Sequence, residues 1–187
     1  MKTYIIIILI LLGITIIINA SQSEEQEYEF TCQDSVYTFS FNFVVKAEAD
    51  SLLNLIYDFS KITEYSQGVK SLEMVRQSEN WYEVAFLYQN LLILENRSLW
   101  RRSIDRENNI ITFEMLINKN NISFIPELQS SHGYYQISTE DDSCRIELFQ
   151  ECCLKPGILK SFYLKKAEKE AVKFMHVFKG FIAKNCE

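Results

Sequence analysis

Residues 36–59 read VYTFSFNFVVKAEADSLLNLIYDF, and the repeat of apolar positions changes once inside that stretch. From Val36 to Val45 it is two: Tyr37, Phe39, Phe41, Phe43 and Val45 share one face, and Thr38, Ser40 and Asn42 the other. Successive side chains of an extended chain point to opposite faces, so this is a strand with one buried side. Ala49-Asp50-Ser51 then offers a helix cap, and Leu52, Leu53, Ile56 and Phe59 fall at three- and four-residue intervals, which is helical spacing. A second short helix is expected around Lys61 to Tyr65, ending near Gly68.

Beyond Gly68, strand patterns return at Val69–Arg76, Tyr82–Leu92, Leu94–Ile104, Ile110–Asn118, Gly133–Thr139 and Cys144–Cys153. The breaks at Gln77–Asn80, Arg106–Asn109 and Glu140–Ser143 are short and polar enough for hairpins. Lys119–His132 contains Pro126 and reads as loop. After Pro156-Gly157 the period becomes helical again, with Leu159, Phe162, Tyr163, Ala167, Phe174, Val177, Phe178, Phe181 and Ile182 recurring as far as Asn185. Lys160, Lys165, Lys166, Lys169 and Lys173 take much of the remaining surface. This is a long amphipathic helix with an aromatic stripe.

The full chain has 187 residues, 48% hydrophobic and 24% charged, with 5 Gly and 2 Pro. That balance excludes a disordered or low-complexity polymer and fits one domain with a real core. The net charge of −6 argues against a nucleic-acid binder. At the start, Lys2 precedes the apolar run Ile5–Ile18, and Asn19, Ala20 and the polar Ser21–Glu25 follow. These are the zones of a secretory signal peptide cut after Ala20. The run is shorter than the roughly 20 residues a spanning helix needs; an uncleaved anchor is the alternative. The expected organisation is therefore a signal peptide over 1–20, a loose polar arm over 21–31 and one domain over 32–187, secreted or periplasmic.

The order strand, two short helices, six antiparallel strands and long C-terminal helix resembles the polyketide cyclase/dehydrase and lipid transport superfamily, which includes START domains and the birch-pollen allergen fold. The resemblance rests on Phe43-Val44-Val45-Lys46-Ala47 running into Leu52–Phe59, on Gly133-Tyr134-Tyr135-Gln136-Ile137, and on Pro156-Gly157 before the last helix. It covers roughly residues 36–185. The second motif is similar to the family's Gly-x-Trp-x-Leu strand, with Tyr135 in the Trp position, and an exported context is a further departure. The resemblance implies an α+β helix-grip fold: a curved antiparallel sheet of about seven strands, two short helices after the first, and a long C-terminal helix across it. It also implies a hydrophobic cavity between sheet and helix. Bulky aromatics such as Phe162, Phe174 and Phe178 facing a curved sheet either fill that space or line a pocket.

Within strand 94–104, Asn96, Ser98, Trp100 and Arg102 share one face. Turned inward, Arg102 beside Trp100 would bind an acidic head group; turned outward, it would pair with Glu83 or Glu114. Tyr88 and Tyr135 are candidates to orient a polar group of a ligand. The expected cavity lining is therefore Tyr88, Trp100, Arg102, Tyr135, Phe162, Phe174 and Phe178. His132 and His176, the two imidazoles, have no spacing that implies a catalytic pair. Zinc spacings, phosphate loops and nucleophile elbows are missing from the sequence, so no metal, cofactor or catalytic residue is assigned.

Five cysteines in an exported chain suggest disulfides. In the resembled fold the first strand neighbours the last, and the long helix runs back along it. That implies Cys32 paired with Cys152 or Cys153, and Cys144 with Cys186, leaving one thiol over; five reduced thiols are the alternative. Asn96-Arg97-Ser98 and Asn121-Ile122-Ser123 match the glycosylation sequon. The reading is thus an exported carrier of a small hydrophobic or lipid-like molecule, with transient membrane contact offered by the lysine-rich helix face. The alternatives are a cyclase- or hydrolase-type enzyme using His132, Tyr135 or Arg102 in the same cavity, and an interaction module with a filled core.

Overall fold

The computed structural model describes residues 27–66, 68–88, 97–119, 128–155 and 160–186, with only the backbone of 119 and 160–163. Its strands are β1 (Tyr28–Gln33), β2 (Val36–Val45), β3 (Val69–Gln77), β4 (Trp81–Tyr88), β5 (Arg97–Asp105), β6 (Ile110–Lys119), β7 (Leu128–Glu140) and β8 (Ser143–Leu154). Helix α1 (Ala49–Tyr57), a 3-10 turn (Phe59–Lys61) and α2 (Ile62–Tyr65) lie between β2 and β3, and α3 (Lys160–Cys186) closes the chain. All eight strands form one antiparallel sheet in the order β1-β2-β8-β7-β6-β5-β4-β3.

Chemistry local to each element explains this order. Hairpins need residues that accept a left-handed backbone, and Asp34, Asn109 and Asp141 sit there with φ of 54°, 53° and 50°; short polar side chains tolerate that region best. The face of β2 expected to be buried is buried at Phe39 and Phe41, both in the core. Leu52, Leu53 and Ile56 of α1 are fully covered, as are Ile146 and Leu148 of β8. Met175, Phe178 and Ile182 of α3 meet them from the other side. At about 1.5 Å per residue the 27-residue α3 is roughly 40 Å long, enough to cross the sheet.

The sheet has eight strands rather than about seven. The additional one, β1, takes up residues expected to be a loose arm: Tyr28, Phe30 and Cys32 face Phe41, Phe39 and Tyr37 of β2 in register. Tyr28 and Phe30 pack on the core, and this apolar alternation is what turns the end of the arm into an edge strand. The expected loop 119–132 is also shorter, because β7 begins at Leu128.

Strand β1 corrects the expected cysteine pairing as well. Cys32 faces Tyr37, and Tyr37 faces Cys152, so a whole strand separates the two cysteines. Two strand spacings of about 4.8 Å exceed the roughly 7 Å between Cα atoms that a disulfide can bridge. Cys144 and Cys186 are unlinked too: the Cys144 thiol is buried and donates to the carbonyl of Ala47 at 3.1 Å. Cys32, Cys144, Cys152, Cys153 and Cys186 are all free thiols. Residues 1–26, both sequons' asparagines, Pro156-Gly157 and the side chain of Phe162 lie outside the described residues.

Candidate functional site

A cavity of about 250 Å³ lies between the concave face of the sheet and the helices α2 and α3. Its wall is mainly aromatic. On β4 and β5, Phe86 stacks on Trp100 with ring centroids 5.9 Å apart. Trp100 then meets Phe113 of β6 at 6.3 Å, and Phe113 meets Tyr135 of β7 at 5.5 Å. The roof is Tyr65 of α2 and Phe174 of α3, edge to face at 6.3 Å. Strand pairing explains the convergence: Phe86 faces Ser98, Val84 faces Trp100, and Phe113 faces Arg102. Residues two apart on each strand therefore stack into one inward-facing band.

Besides Ser66, Gln150 and Glu170, polar groups enter this wall at two hydrogen-bonded places. Trp100 Nε1 donates to Ser98 Oγ at 2.7 Å, and Ser98 Oγ donates to the Tyr88 hydroxyl at 3.1 Å. Tyr88 is thus an acceptor in the chain and keeps its own proton. Burial raises its pKa, opposed by the Ser98 and Trp100 hydrogen bonds.

The second polar place is Arg102, which is 4% exposed. Its Nη2 donates to the carbonyl of Ile56 at 2.9 Å and its Nη1 to the Tyr65 hydroxyl at 3.1 Å. The guanidinium lies 5.9 Å from the Tyr82 ring centroid and 5.8 Å from that of Tyr135. Ile56 is in the last turn of α1, where carbonyls lack intrahelical partners and the helix dipole favours a cation. The Tyr82 hydroxyl donates to the neighbouring carbonyl of Tyr57 at 2.8 Å. Burial works to lower the arginine's pKa, the phenols of Tyr65, Tyr82 and Tyr135 raise it, and the net direction is upward. Burial likewise pushes the Tyr135 phenol up, so it stays protonated at neutral pH.

The alternative partners for Arg102, Glu83 and Glu114, belong instead to Arg101. Arg101 alternates to the convex face, reaching Glu83 at 2.8 Å and Glu114 at 3.6 Å. Arg76 covers the other oxygen of Glu83 at 2.7 Å. Its carboxylate is fully enclosed, and its pKa is held below the usual range by the Arg101 hydrogen bond, which with Arg76 outweighs desolvation.

Of the seven expected lining residues, Tyr88, Trp100, Arg102, Tyr135 and Phe174 border the cavity. Phe178 does not: it is one helical turn on, fully buried, with rings of Phe41, Tyr65, Tyr135 and Phe174 around it. His132 is 58% exposed on the convex side, 3.9 Å from Glu151, and borders a separate cleft there. His176 is exposed on α3. Sequence reasoning missed Ile62, Tyr65, Phe86, Phe113, Leu148 and Gln150 of the wall. Counting register outward from the hairpins would have found Phe86 and Phe113 opposite the Trp100–Arg102 face.

Solved structures share this architecture. An aromatase/cyclase, ZhuI, from Streptomyces sp. R1128 superposes with a TM-score of 0.63 at 12% identity, over 81% of this chain and 93% of that one. A START superfamily protein from Mycobacterium smegmatis gives 0.57 at 11% identity, over 80% and 96%. A STAR-related lipid transfer protein from Xanthomonas axonopodis gives 0.57 at 9% identity, over 87% and 100%. The chain has the helix-grip fold of the START-like superfamily. No family model matches the sequence, and no curated protein matches it. The START-like likeness is therefore one of fold, and among these neighbours the same frame carries both a cyclase and a lipid transfer protein.

Proposed function

We propose that this START-like protein is an exported carrier that holds a small hydrophobic or amphipathic molecule between sheet and helix without transforming it. The observation that supports this best is the aromatic cavity bounded by Phe86, Trp100, Phe113, Tyr135 and Phe174. A mostly apolar concave wall with a few convergent polar groups is the usual form of a small-molecule site. The neighbours named as lipid transfer and START proteins favour the same reading. Export is proposed from the Lys2–Ala20 pattern, with the cut after Ala20.

Of the residues a cyclase-type reading would use, Tyr135 and Arg102 share the cavity, whereas His132 borders a different hollow. That separation favours carriage over catalysis. The test is uptake of the neutral dye N-phenyl-1-naphthylamine, whose fluorescence rises in an apolar site. The native protein should bind it, and Phe174→Asp, which puts a charge on the cavity roof, should weaken uptake at least about tenfold while far-UV dichroism stays native-like. Native-like uptake by that variant, or none by the unaltered protein, would overturn the proposal.

A further inference from the structure

Arg102 is a buried cation whose charge the protein only partly neutralises. Among the described residues its hydrogen bonds go to a backbone carbonyl and a phenol, and the groups that perturb it are three neutral tyrosines. Its formal charge is a full unit, whereas the end of a helix supplies about half a unit of the opposite sign. Buried charges are ordinarily paired, because an isolated ion in a low-dielectric interior is expensive. Here the guanidinium borders the cavity, and the other charged lining residue, Glu170, is exposed on α3. The Tyr135 phenol, which burial keeps protonated, lies beside it with its ring centroid 5.8 Å away, and the wall's other polar place holds the spare Tyr88 proton.

We infer that the cavity takes an amphiphilic anion, a single acyl chain or ring ending in a carboxylate, sulfonate or similar acid, with the acid seated on Arg102. The inference rests on the carrier reading and names its ligand class. A planar guanidinium with free N–H groups suits such an acid, because charge-assisted bonds to it are about twice as strong as neutral ones. At about 250 Å³ the cavity is below the roughly 300 Å³ at which ligand pockets usually begin. It fits a compact tail rather than a two-chain phospholipid.

The test uses two matched pairs. 1-Anilinonaphthalene-8-sulfonate and N-phenyl-1-naphthylamine differ by one sulfonate, and dodecanoate and dodecanol differ by the acid. In the full chain at neutral pH the sulfonate dye should bind at least about tenfold more tightly than its neutral twin, and dodecanoate should displace the neutral dye at least about tenfold better than dodecanol. Tenfold corresponds to about 1.4 kcal/mol. Arg102→Met should erase both preferences, and Arg102→Lys should restore part of them. If Arg102→Met fails to fold, the two ratios in the unaltered protein still decide. Equal binding of each pair refutes the inference and leaves the carrier reading standing, whereas uptake of neither dye refutes both.

Discussion

Among the glycines of the described residues, Gly133 should tolerate replacement by alanine least. A Cβ built at Gly133 would lie 2.1 Å from the carbonyl oxygen of Phe149, 2.6 Å from Cζ of Phe113 and 2.9 Å from Cα of Gln150. Two of those three contacts are backbone of β8, the strand paired with β7 there, so no rotamer change relieves them. Either β8 moves by about an ångström or the β7–β8 pairing opens locally. Overpacking of a tight interior costs about 1–3 kcal/mol, and the rigid partner puts this case near 3 kcal/mol. In a domain of this size that is a fall in Tm of about 6–12 °C. Phe113 is also pushed toward the cavity it borders, so dye affinity should fall as well. Gly180 is the control: it is inside α3, and its added Cβ meets nothing within 4 Å. Gly180→Ala should gain up to about 1 kcal/mol from helix propensity alone. Thermal melts and urea titrations of the two variants beside the parent settle the matter. A Gly133→Ala protein as stable as the parent would refute the packing argument, as would equal losses in both.

Two further outcomes follow from the charges and thiols. Glu83 has a depressed pKa, so the stability it contributes is complete above the ordinary carboxylate range near pH 4 and is lost as the pH falls through its lower folded value. Urea titrations from pH 7 to pH 2 should therefore show a flatter acid limb for Glu83→Gln, which is less stable than the parent at pH 7 because Arg76 and Arg101 lose their shared carboxylate; parallel limbs would contradict this. All five cysteines should be free, and a thiol reagent should modify exposed Cys32 first and buried Cys144 and Cys152 last, after unfolding. Non-reducing peptide mapping that finds Cys144 joined to Cys186 would contradict the thiol assignment.

Much of this architecture is legible in the amino-acid order because it rests on periods. The switch from two to three-and-a-half at Val45–Leu52, the polar breaks around Asn109 and Asp141, and the aromatic repeat of α3 each report a local rule. β1 was missed because Tyr28, Phe30 and Cys32 make a brief alternation among acids, and only pairing with β2 makes it a strand. The site was legible to the depth of one face: placing Ser98, Trp100 and Arg102 together follows from alternation. What Arg102 touches does not, since Ile56 and Tyr65 come from helices 46 and 37 residues away in sequence. Phe174 and Phe178 share a helical stripe, but one borders the cavity and the other is solid core. That boundary depends on how far α2 reaches across the sheet, a distance no periodicity encodes.

Native mass spectrometry of the protein, purified without detergent from its natural source, tests the carrier account most directly. The account predicts a discrete added mass that disappears on denaturation and is recovered in the organic extract as a small amphiphilic acid. A bare protein mass from the same gentle purification, with no molecule in the extract, would contradict it.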